Sequence, residues 1–352
     1  MTTDEPADEP TDESTDESTD PVALLAPVAQ GGALLFCFGL GFSARALAAA
    51  WMAAGGRVAG TCRGPEKQAV LRDAGIAAHL MTGDRPMDAA GVADLGRAVA
   101  ILSSVGPSSV EGAREDGGPA DGAADGAADP VLRLHGADIA AAAAAGLARG
   151  AAPWIGYLST TGVYGDHGGG WVDEDTPTVD AGGRGGRRVA AERAWAALAP
   201  AAPAHLFRLA GIYGPGRSAL DTVRAGRAHR VVKPGQVFSR IHVADIAAVL
   251  AASIAAPAPG RAYNVCDNEA APPQDVILHA CQLLEVTPPP EVPFEQATLS
   301  PMARSFYADN KRVRNTRIRE ELGVRLRYPD YRAGLAAQLA AERSQTIGPS
   351  PA

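Results

Sequence analysis

Cysteine is scarce in this sequence, which has only four cysteines among its 352 residues. They are Cys37, Cys62, Cys266 and Cys281, and no two of them form a Cys-x-x-Cys motif. This usage excludes the disulfide framework of a small secreted domain and argues against a structural zinc site. Three of the four lie in apolar or strand-like segments, as reduced thiols do. We therefore expect a cytoplasmic protein without a bound metal.

The sequence also lacks an uninterrupted apolar span and a cluster of basic residues. Residues 22–42 carry no charge, but Pro27, Gln30 and a Gly pair interrupt them, and the preceding residues are acidic. This is unlike a membrane helix or a signal peptide. The net charge of −8 reflects nine acids in residues 1–20, because the remainder has 31 acids against 32 Lys and Arg residues. We therefore expect a soluble protein with no membrane or nucleic-acid partner.

Two segments of low complexity contain little that could join a hydrophobic core. Residues 1–20 repeat Thr-Asp-Glu-Ser, and residues 111–129 repeat Asp-Gly-Ala-Ala. We predict a disordered acidic tail over 1–30 and a flexible insertion over 111–130, both dispensable for folding. The tail is interpreted as a solubilising segment rather than an interaction arm, and the insertion as either a surface loop or a lid. Residues 344–352 should fray.

Residues 32–45 are the most informative stretch of the chain. The apolar run Ala33–Phe38 predicts a buried strand, and Ser43–Ala54 predicts a helix. The turn between them reads Gly-x-Gly-x-x-Ala, a spacing that lets the backbone turn tightly and approach a pyrophosphate at the helix N-terminus. We predict that this turn binds a dinucleotide. The predicted cofactor-binding residues here are Gly39, Gly41, Phe42, Ser43 and Ala44.

The next apolar segment, 56–63, ends about 20 residues beyond the turn, where such folds bind the adenosine ribose. An NAD enzyme usually places an acid there, whereas this sequence has Thr61 and Arg63. Both residues favour a 2′-phosphate, so NADP(H) is predicted over NAD(H). The alternative for Arg63 is an ordinary solvated residue at a strand end.

Strands and helices alternate along the first half of the chain, which predicts an α/β fold of the Rossmann type with a doubly wound parallel sheet. Ser103 and Ser159 lie at predicted strand ends and are further cofactor-binding candidates. We predict an NADP-binding domain over 31–215 and a small C-terminal substrate lobe over 216–343, interleaved with the last strands. The other predicted elements are strands at Ala78–Met81, Ala98–Leu102, Trp154–Ser159, 204–210 and 262–266 and helices at Ala137–Ala148, Arg312–Gly323 and Arg332–Arg343.

Four motifs in order give the chain a family resemblance. The first is the strand end Ser159-Thr-Thr-Gly-Val-Tyr-Gly165, and the others occupy 208–216, 238–246 and 263–267. Together they resemble the extended short-chain dehydrogenase/reductase family, in its epimerase/dehydratase branch. The resemblance covers about residues 33 to 340 and implies an NAD(P)-binding oxidoreductase or epimerase with a small-molecule substrate. It is also compatible with a homodimer.

The sequence departs from this family at its catalytic Tyr-x-x-x-Lys pair. Counted back from Glu192, the Lys position is Arg188 and the Tyr position is Arg184. Arginine stays protonated at neutral pH and cannot replace a phenol as a proton donor. The chain is therefore similar to the atypical members of the family. A non-catalytic NADP(H)-binding sensor or assembly protein remains the alternative to an enzyme.

Thr160, Tyr164 and Arg188 are the remaining candidates for catalysis. Thr160 occupies the family's Ser/Thr position, although a strand-end Thr also bonds local backbone. Tyr164 is either the substitute phenol or a packed wall residue. His242 is interpreted as a structural histidine. Basic residues of the lobe and three arginines at 184, 187 and 188 are compatible with a small anionic or sugar-derived substrate. They are equally compatible with an ordinary protein surface. The basic residues of the lobe are Arg217, Arg224, Arg227, Arg230, Lys233 and Arg240.

Overall fold

A seven-stranded parallel sheet forms the centre of the protein, in a computed structural model that describes residues 18–107, 129–180, 182–200 and 202–346. The strands are β1 Leu34–Phe38, β2 Arg57–Cys62, β3 Ala77–Leu80, β4 Ala100–Ser103, β5 Trp154–Thr160, β6 Trp171–Val172, β7 His205–Leu209, β8 Gly211–Tyr213, β9 Arg230–Val232, β10 Arg240–His242, β11 Ala262–Val265, β12 Glu291–Pro293 and β13 Arg312–Val313. The central sheet has the order β11-β7-β5-β4-β1-β2-β3, and the other strands form three short pairs.

Helices cover both faces of this sheet. They are α1 Pro21–Ala29, α2 Phe42–Ala53, α3 Pro65–Asp73, α4 Ala89–Arg97, α5 Pro130–Ala148, α6 Gly183–Ala197, α7 Ala219–Arg224, α8 Val243–Ala255, α9 Pro273–Leu283, α10 Pro301–Phe306, α11 Thr316–Glu320 and α12 Tyr331–Thr346. One apolar layer packs around Trp51 of α2 and Val249 of α8. The other packs around Ile139 of α5 and Trp195 of α6. The predicted doubly wound parallel sheet is confirmed.

The switch of strand order places the Gly-rich turn at the centre of one edge. β1 pairs with β2 on one side, through Phe36 and Ala59, and with β4 on the other, through Phe36 and Ile101. All five residues of β1 are buried, as the uninterrupted apolar run predicts. Ligands of open α/β sheets bind at the carboxyl ends of the strands beside such a reversal.

Helix α5 is long and apolar enough, by length and composition, to cross a membrane. It lies instead against the sheet, where Val131 and Ile139 are fully buried in the core. Its His135 also pairs with Asp138, with 2.8 Å between Nδ1 and Oδ2. One face of this helix therefore belongs to the core of the protein.

The predicted disordered tail extends too far. Residues 21–29 form helix α1, in which Leu25 and Ala29 are fully buried. The apolar side chains of this segment pack on α2 and α8, which provides the burial that the acidic repeats before it lack. Residues 1–17, the acidic part of the predicted tail, lie outside the described residues.

The predicted insertion also extends too far, because Asp129 and Pro130 belong to the fold. Pro130 is the first residue of α5, and the Asp129 carboxylate caps that helix by accepting from the amides of Val131 and Leu132 at 2.9 and 3.1 Å. Its other oxygen accepts from the indole of Trp195 at 3.0 Å. Residues 108–128 lie outside the described residues, as do 347–352.

The helix predicted over 312–323 is shorter than expected. Arg312 and Val313 form β13 and pair with β6, and the amides of Arg312 and Arg314 donate to Gly170 and Val172. Pairing with a distant strand therefore replaces the local helical bonds at this end. Only Thr316–Glu320 remains helical, as α11.

Replacing Asp129 by Ala should lower the free energy of unfolding by about 2 kcal/mol, because it removes a helix cap and leaves a buried indole donor without an acceptor. Urea unfolding measures the change. Asp20→Ala is the matched control, since Asp20 caps α1 through a solvent-exposed bond to the amide of Val22. Equal effects of the two substitutions would contradict the role given to Asp129.

Candidate functional site

The turn between β1 and α2 has the geometry of a phosphate cradle. Gly39 has a φ of +79°, and a Cβ there would lie 2.8 Å from Cγ2 of Val105, so only glycine fits. Gly41 is the N-cap of α2, and none of the side chains that the structure describes caps that helix. The first amides of α2 are thus available to an anion. Ala44 is fully buried, which allows α2 to pack closely on the sheet.

Thr61 supports this turn and is not positioned to read the ribose. Its Oγ1 accepts a hydrogen bond from the amide of Gly39 at 2.9 Å, and the residue is only 2 % exposed. Its predicted contact with a 2′-phosphate is therefore corrected to a role in fixing the Gly-rich turn. Arg63, which follows β2, is exposed at the same edge of the sheet.

Two buried serine hydroxyls lie on the strands that flank the site. Ser103 ends β4 opposite Phe38, and Ser159 lies one residue before the end of β5. Both Oγ atoms are buried and have no hydrogen-bond partner among the described residues. Unsatisfied buried hydroxyls are costly, so their presence at the ligand edge of the sheet points to a bound partner. The neighbouring Ser104 hydroxyl donates to the carbonyl of Gly39.

A cavity of about 770 Å³, which we call the inner cavity, opens beyond the ends of β5 and β7. Its walls come from the segment after β5, from the start of α6, from β8 and β10, and from residues 303–313. Thr160 lines it and accepts a hydrogen bond from the amide of Gly162 at 3.2 Å. Because the hydroxyl proton of Thr160 remains available, this side chain can still donate to a ligand.

Arg188 also lines the inner cavity and is held in place from behind. Its Nη1 donates to the hydroxyl of Tyr157 at 3.0 Å and to the carbonyl of Leu158 at 2.9 Å. Its Nη2 approaches the loop after β4, where a Cβ on Gly106 would lie 2.8 Å away. The guanidinium thus lies between the ends of β4 and β5. Arg184 occupies the first turn of α6, and its side chain lies outside the described part of the protein.

Tyr164 is part of a buried polar network and does not line the inner cavity. Its hydroxyl donates to Oδ1 of Asn264 at 2.7 Å and accepts from Nη1 of Arg208 at 2.9 Å. Arg208 in turn pairs with Glu192, with 2.9 Å between Nη2 and Oε2. Burial raises the pKa of the Tyr164 phenol to about 12. This geometry supports the wall interpretation of Tyr164 and argues against its predicted catalytic role.

His242 has the structural role expected for it. Its Nδ1 accepts from the amide of Ala244 at 3.2 Å, which caps α8, and its ring packs against Tyr213 and Tyr328. Burial, helped by the charge of Arg327, lowers the pKa of His242 to about 4. The imidazole is therefore neutral at physiological pH.

The predicted basic lining of the lobe is confirmed only in part. Arg224 and Arg230 form ion pairs with Glu342 and Glu291, each at 2.6 Å, and neither arginine lines the inner cavity. Of the six predicted bases, Arg240 lines the inner cavity.

Sequence reasoning missed Lys311, another residue of the cavity wall. Its Nζ donates to the carbonyl of Gly165 at 2.6 Å and lies 3.4 Å from Oδ2 of Asp309. Burial lowers the pKa of the Lys311 ammonium. No motif marks this lysine, because the pairing of β13 with β6 brings it to the cavity from 146 residues away.

No family model matches this chain. A conserved protein of unknown function from Silicibacter pomeroyi DSS is 49% identical, covers 88% of this chain and 99% of its own, and superposes with a TM-score of 0.75. The protein YeeZ of Escherichia coli K12 is 30% identical over 182 residues. That match spans 51% of this chain and 60% of YeeZ, less than two thirds of the relative's length.

More distant solved structures share the fold. The human epimerase family protein SDR39U1, solved with NADPH, is 17% identical with a TM-score of 0.60, and the match covers 87% of this chain and 99% of that chain. The dTDP-glucose 4,6-dehydratase of Bacillus anthracis, solved with NAD, is 14% identical with a TM-score of 0.61 over 88% of this chain and 96% of that chain. At these identities the similarity concerns the fold alone. It confirms the fold that the motifs predict.

Replacing Tyr164 by Phe should lower the free energy of unfolding by about 1–3 kcal/mol, because Arg208 and Asn264 lose a buried partner. Affinity for a dinucleotide should stay unchanged. Tyr263→Phe is the control, since the Tyr263 hydroxyl is buried without a hydrogen-bond partner among the described residues and its loss should cost little. Chemical denaturation and cofactor titration of both variants measure these effects. If the Tyr164→Phe protein is as stable as the wild type but binds cofactor or turns over differently, Tyr164 has a role in the active site and this interpretation is wrong.

Proposed function

This chain belongs to one family with the conserved Silicibacter pomeroyi protein and has the fold of the extended short-chain dehydrogenases/reductases, and from that premise we propose that it is an NADP(H)-binding oxidoreductase or epimerase. Its substrate is a small anionic or sugar-derived molecule. The main support for this proposal is the turn at Gly39, a position that only glycine fits. This turn leads to the N-terminus of α2, which no described side chain caps.

The residues at the carboxyl edge fit a dinucleotide. The turn at Gly39 and Gly41 and the first amides of α2 would hold the diphosphate. Ser103 and Ser159, whose hydroxyls have no partner within the described ranges, would donate hydrogen bonds to the cofactor or to the substrate beside it. The cofactor supplies or accepts a hydride when bound, and the protein orients it toward the inner cavity.

Arg63 supports NADP(H) over NAD(H). It follows β2 at the edge where the adenosine ribose of a dinucleotide lies, and it is exposed. Guanidinium and phosphate form strong charge-assisted hydrogen bonds. Solved structures of this fold contain either NADPH or NAD, so the preference depends on the residues of each chain. Thr61 contributes only indirectly, through the turn.

The inner cavity supplies groups that can bind and protonate a substrate oxygen. The Thr160 hydroxyl can donate to a carbonyl or hydroxyl of the substrate. Arg188 places a fixed positive charge between β4 and β5, where the ribose-binding Lys of the family would act. Lys311 is the candidate proton donor, because it lines the inner cavity and burial lowers the pKa of its ammonium group.

A second function, binding NADP(H) without turnover, has its own support. The Tyr position of the family pair is Arg184, and the hydroxyl of Tyr164 is occupied by Arg208 and Asn264. Such a protein would bind NADP(H) as a sensor or assembly protein and would not catalyse a reaction. Incubating the protein and cofactor with aldehydes, ketones and nucleotide sugars while following the nicotinamide absorbance separates the two functions, since a Thr160- and Lys311-dependent change assigns catalysis.

Calorimetric titration with NADPH and NADH tests the cofactor assignment, and NADPH should bind more tightly. Arg63→Asp should weaken NADPH binding by about one to two decades, because it removes a contact of about 1.5–3 kcal/mol and adds a like charge. NADH affinity should change much less.

Arg149→Asp is the matched control, because it makes the same charge change at an exposed residue after α5, far from the ligand edge. No saturable binding of either cofactor to the wild-type protein overturns the proposed function. If NADPH and NADH bind equally well both before and after the Arg63→Asp substitution, Arg63 has no role in choosing the cofactor.

A further inference from the structure

The turn between β8 and α7 packs directly against the start of α2. Its first residue is Gly214, and a Cβ there would lie 2.7 Å from Cγ1 of Val243 and 3.3 Å from Cζ of Phe42. Only glycine permits this close approach. Phe42 is the first residue of α2 and directly follows the N-cap Gly41. The turn therefore brings the residues that follow Gly214 to the phosphate cradle.

Arg217 ends this turn, and its guanidinium lies over the ring of Phe42. The amide of Arg217 donates to the carbonyl of Gly214 at 2.9 Å, and the amide of Gly214 donates to the carbonyl of Arg217 at 3.3 Å. The guanidinium carbon lies 5.8 Å from the centroid of the Phe42 ring, within the range of a cation–π contact. Two backbone bonds thus close the turn and place the guanidinium beside the first residue of α2.

The charge of Arg217 is not neutralised by the protein around it. Arg217 is exposed, and no carboxylate among the described residues forms an ion pair with it. Asp221, the next acid along the chain, accepts instead from the amide and the hydroxyl of Ser218 at 2.8 and 2.6 Å. These bonds form the capping box of α7. The Arg217 guanidinium is therefore available to an anion that enters the cradle.

The Gly-rich turn itself offers a diphosphate no positively charged side chain. Residues 39–44 supply backbone amides and no basic residue, whereas a diphosphate is doubly negative. A polar ligand at this edge is indicated independently by Ser103, which is fully buried and whose Oγ has no partner within the described ranges. A cation from another part of the chain would complete the site, and Arg217 is placed to supply it.

We infer that Arg217 is a binding residue for the diphosphate of the dinucleotide, and that its guanidinium pairs with the oxygens that the first amides of α2 hold. The planar fork of arginine matches two phosphate oxygens, and its contact with Phe42 reduces the side-chain freedom that is lost on binding. A residue of the predicted substrate lobe thus contributes to cofactor binding. This inference rests on the proposed function, because it requires a dinucleotide at the Gly-rich turn.

Calorimetric titration of the full chain with NADPH, NADH and ADP-ribose tests this contact, since all three carry the diphosphate. Arg217→Gln should weaken the binding of each by about tenfold, because an exposed charge-assisted hydrogen bond is lost. The ratio of NADPH to NADH affinity should stay unchanged, in contrast to Arg63→Asp. Arg227→Gln is the matched control, because it removes the same charge from another exposed lobe residue that has no ion pair among the described residues.

The melting temperature monitors the fold of each variant, and Arg217→Lys, which keeps the charge without the planar fork, should recover only part of the affinity. The inference is overturned if NADPH and ADP-ribose bind Arg217→Gln as tightly as the wild type, or if Arg227→Gln weakens them equally. Titration with inorganic pyrophosphate separates the inference from the proposed function. Pyrophosphate binding that depends on Arg217, without binding of either cofactor, would contradict the proposed function and leave the Arg217 contact standing. If none of these compounds saturates the wild-type protein, both are wrong.

Discussion

The seven strands of the central sheet all run parallel, and this constraint determines where chemistry can occur in the protein. Parallel strands bring their carboxyl ends to one edge, so residues from distant parts of the chain meet there. The turn at Gly39, Ser103 at the end of β4 and Thr160 at the end of β5 come together in this way. The reversal of strand order at β1 opens the crevice in which the Gly-rich turn lies.

A buried ion pair fixes the remaining wall of the site. Glu192 on α6 pairs with Arg208 on β7, and the same guanidinium donates to Tyr164. Breaking such a pair leaves an uncompensated buried charge, so it holds α6 firmly against the sheet. Arg188, one helical turn before Glu192, is thereby presented to the inner cavity. The positive charge of Arg188 is thus held at the wall of the inner cavity on a rigid support.

Local pattern was enough to predict the Gly-rich turn, the alternation of strands and helices and the parallel sheet, because each depends on neighbouring residues. What could not be predicted depends on partners far apart in sequence. Tyr164 bonds Asn264 100 residues away, and Asp129 bonds Trp195 66 residues away. No local signal distinguishes a capping Asp129 from the acidic repeats before it. Arg240 was one of six predicted lobe bases, and only the fold shows that it lines the inner cavity.

A crystal structure of the protein with bound NADPH tests the central claim most directly, that the Gly-rich turn holds the dinucleotide and presents it to the inner cavity. The account predicts diphosphate oxygens within about 3 Å of the first backbone amides of α2. It also predicts the nicotinamide ring beside Thr160 and Arg188. A dinucleotide bound elsewhere, or a nicotinamide turned away from the inner cavity, would contradict it.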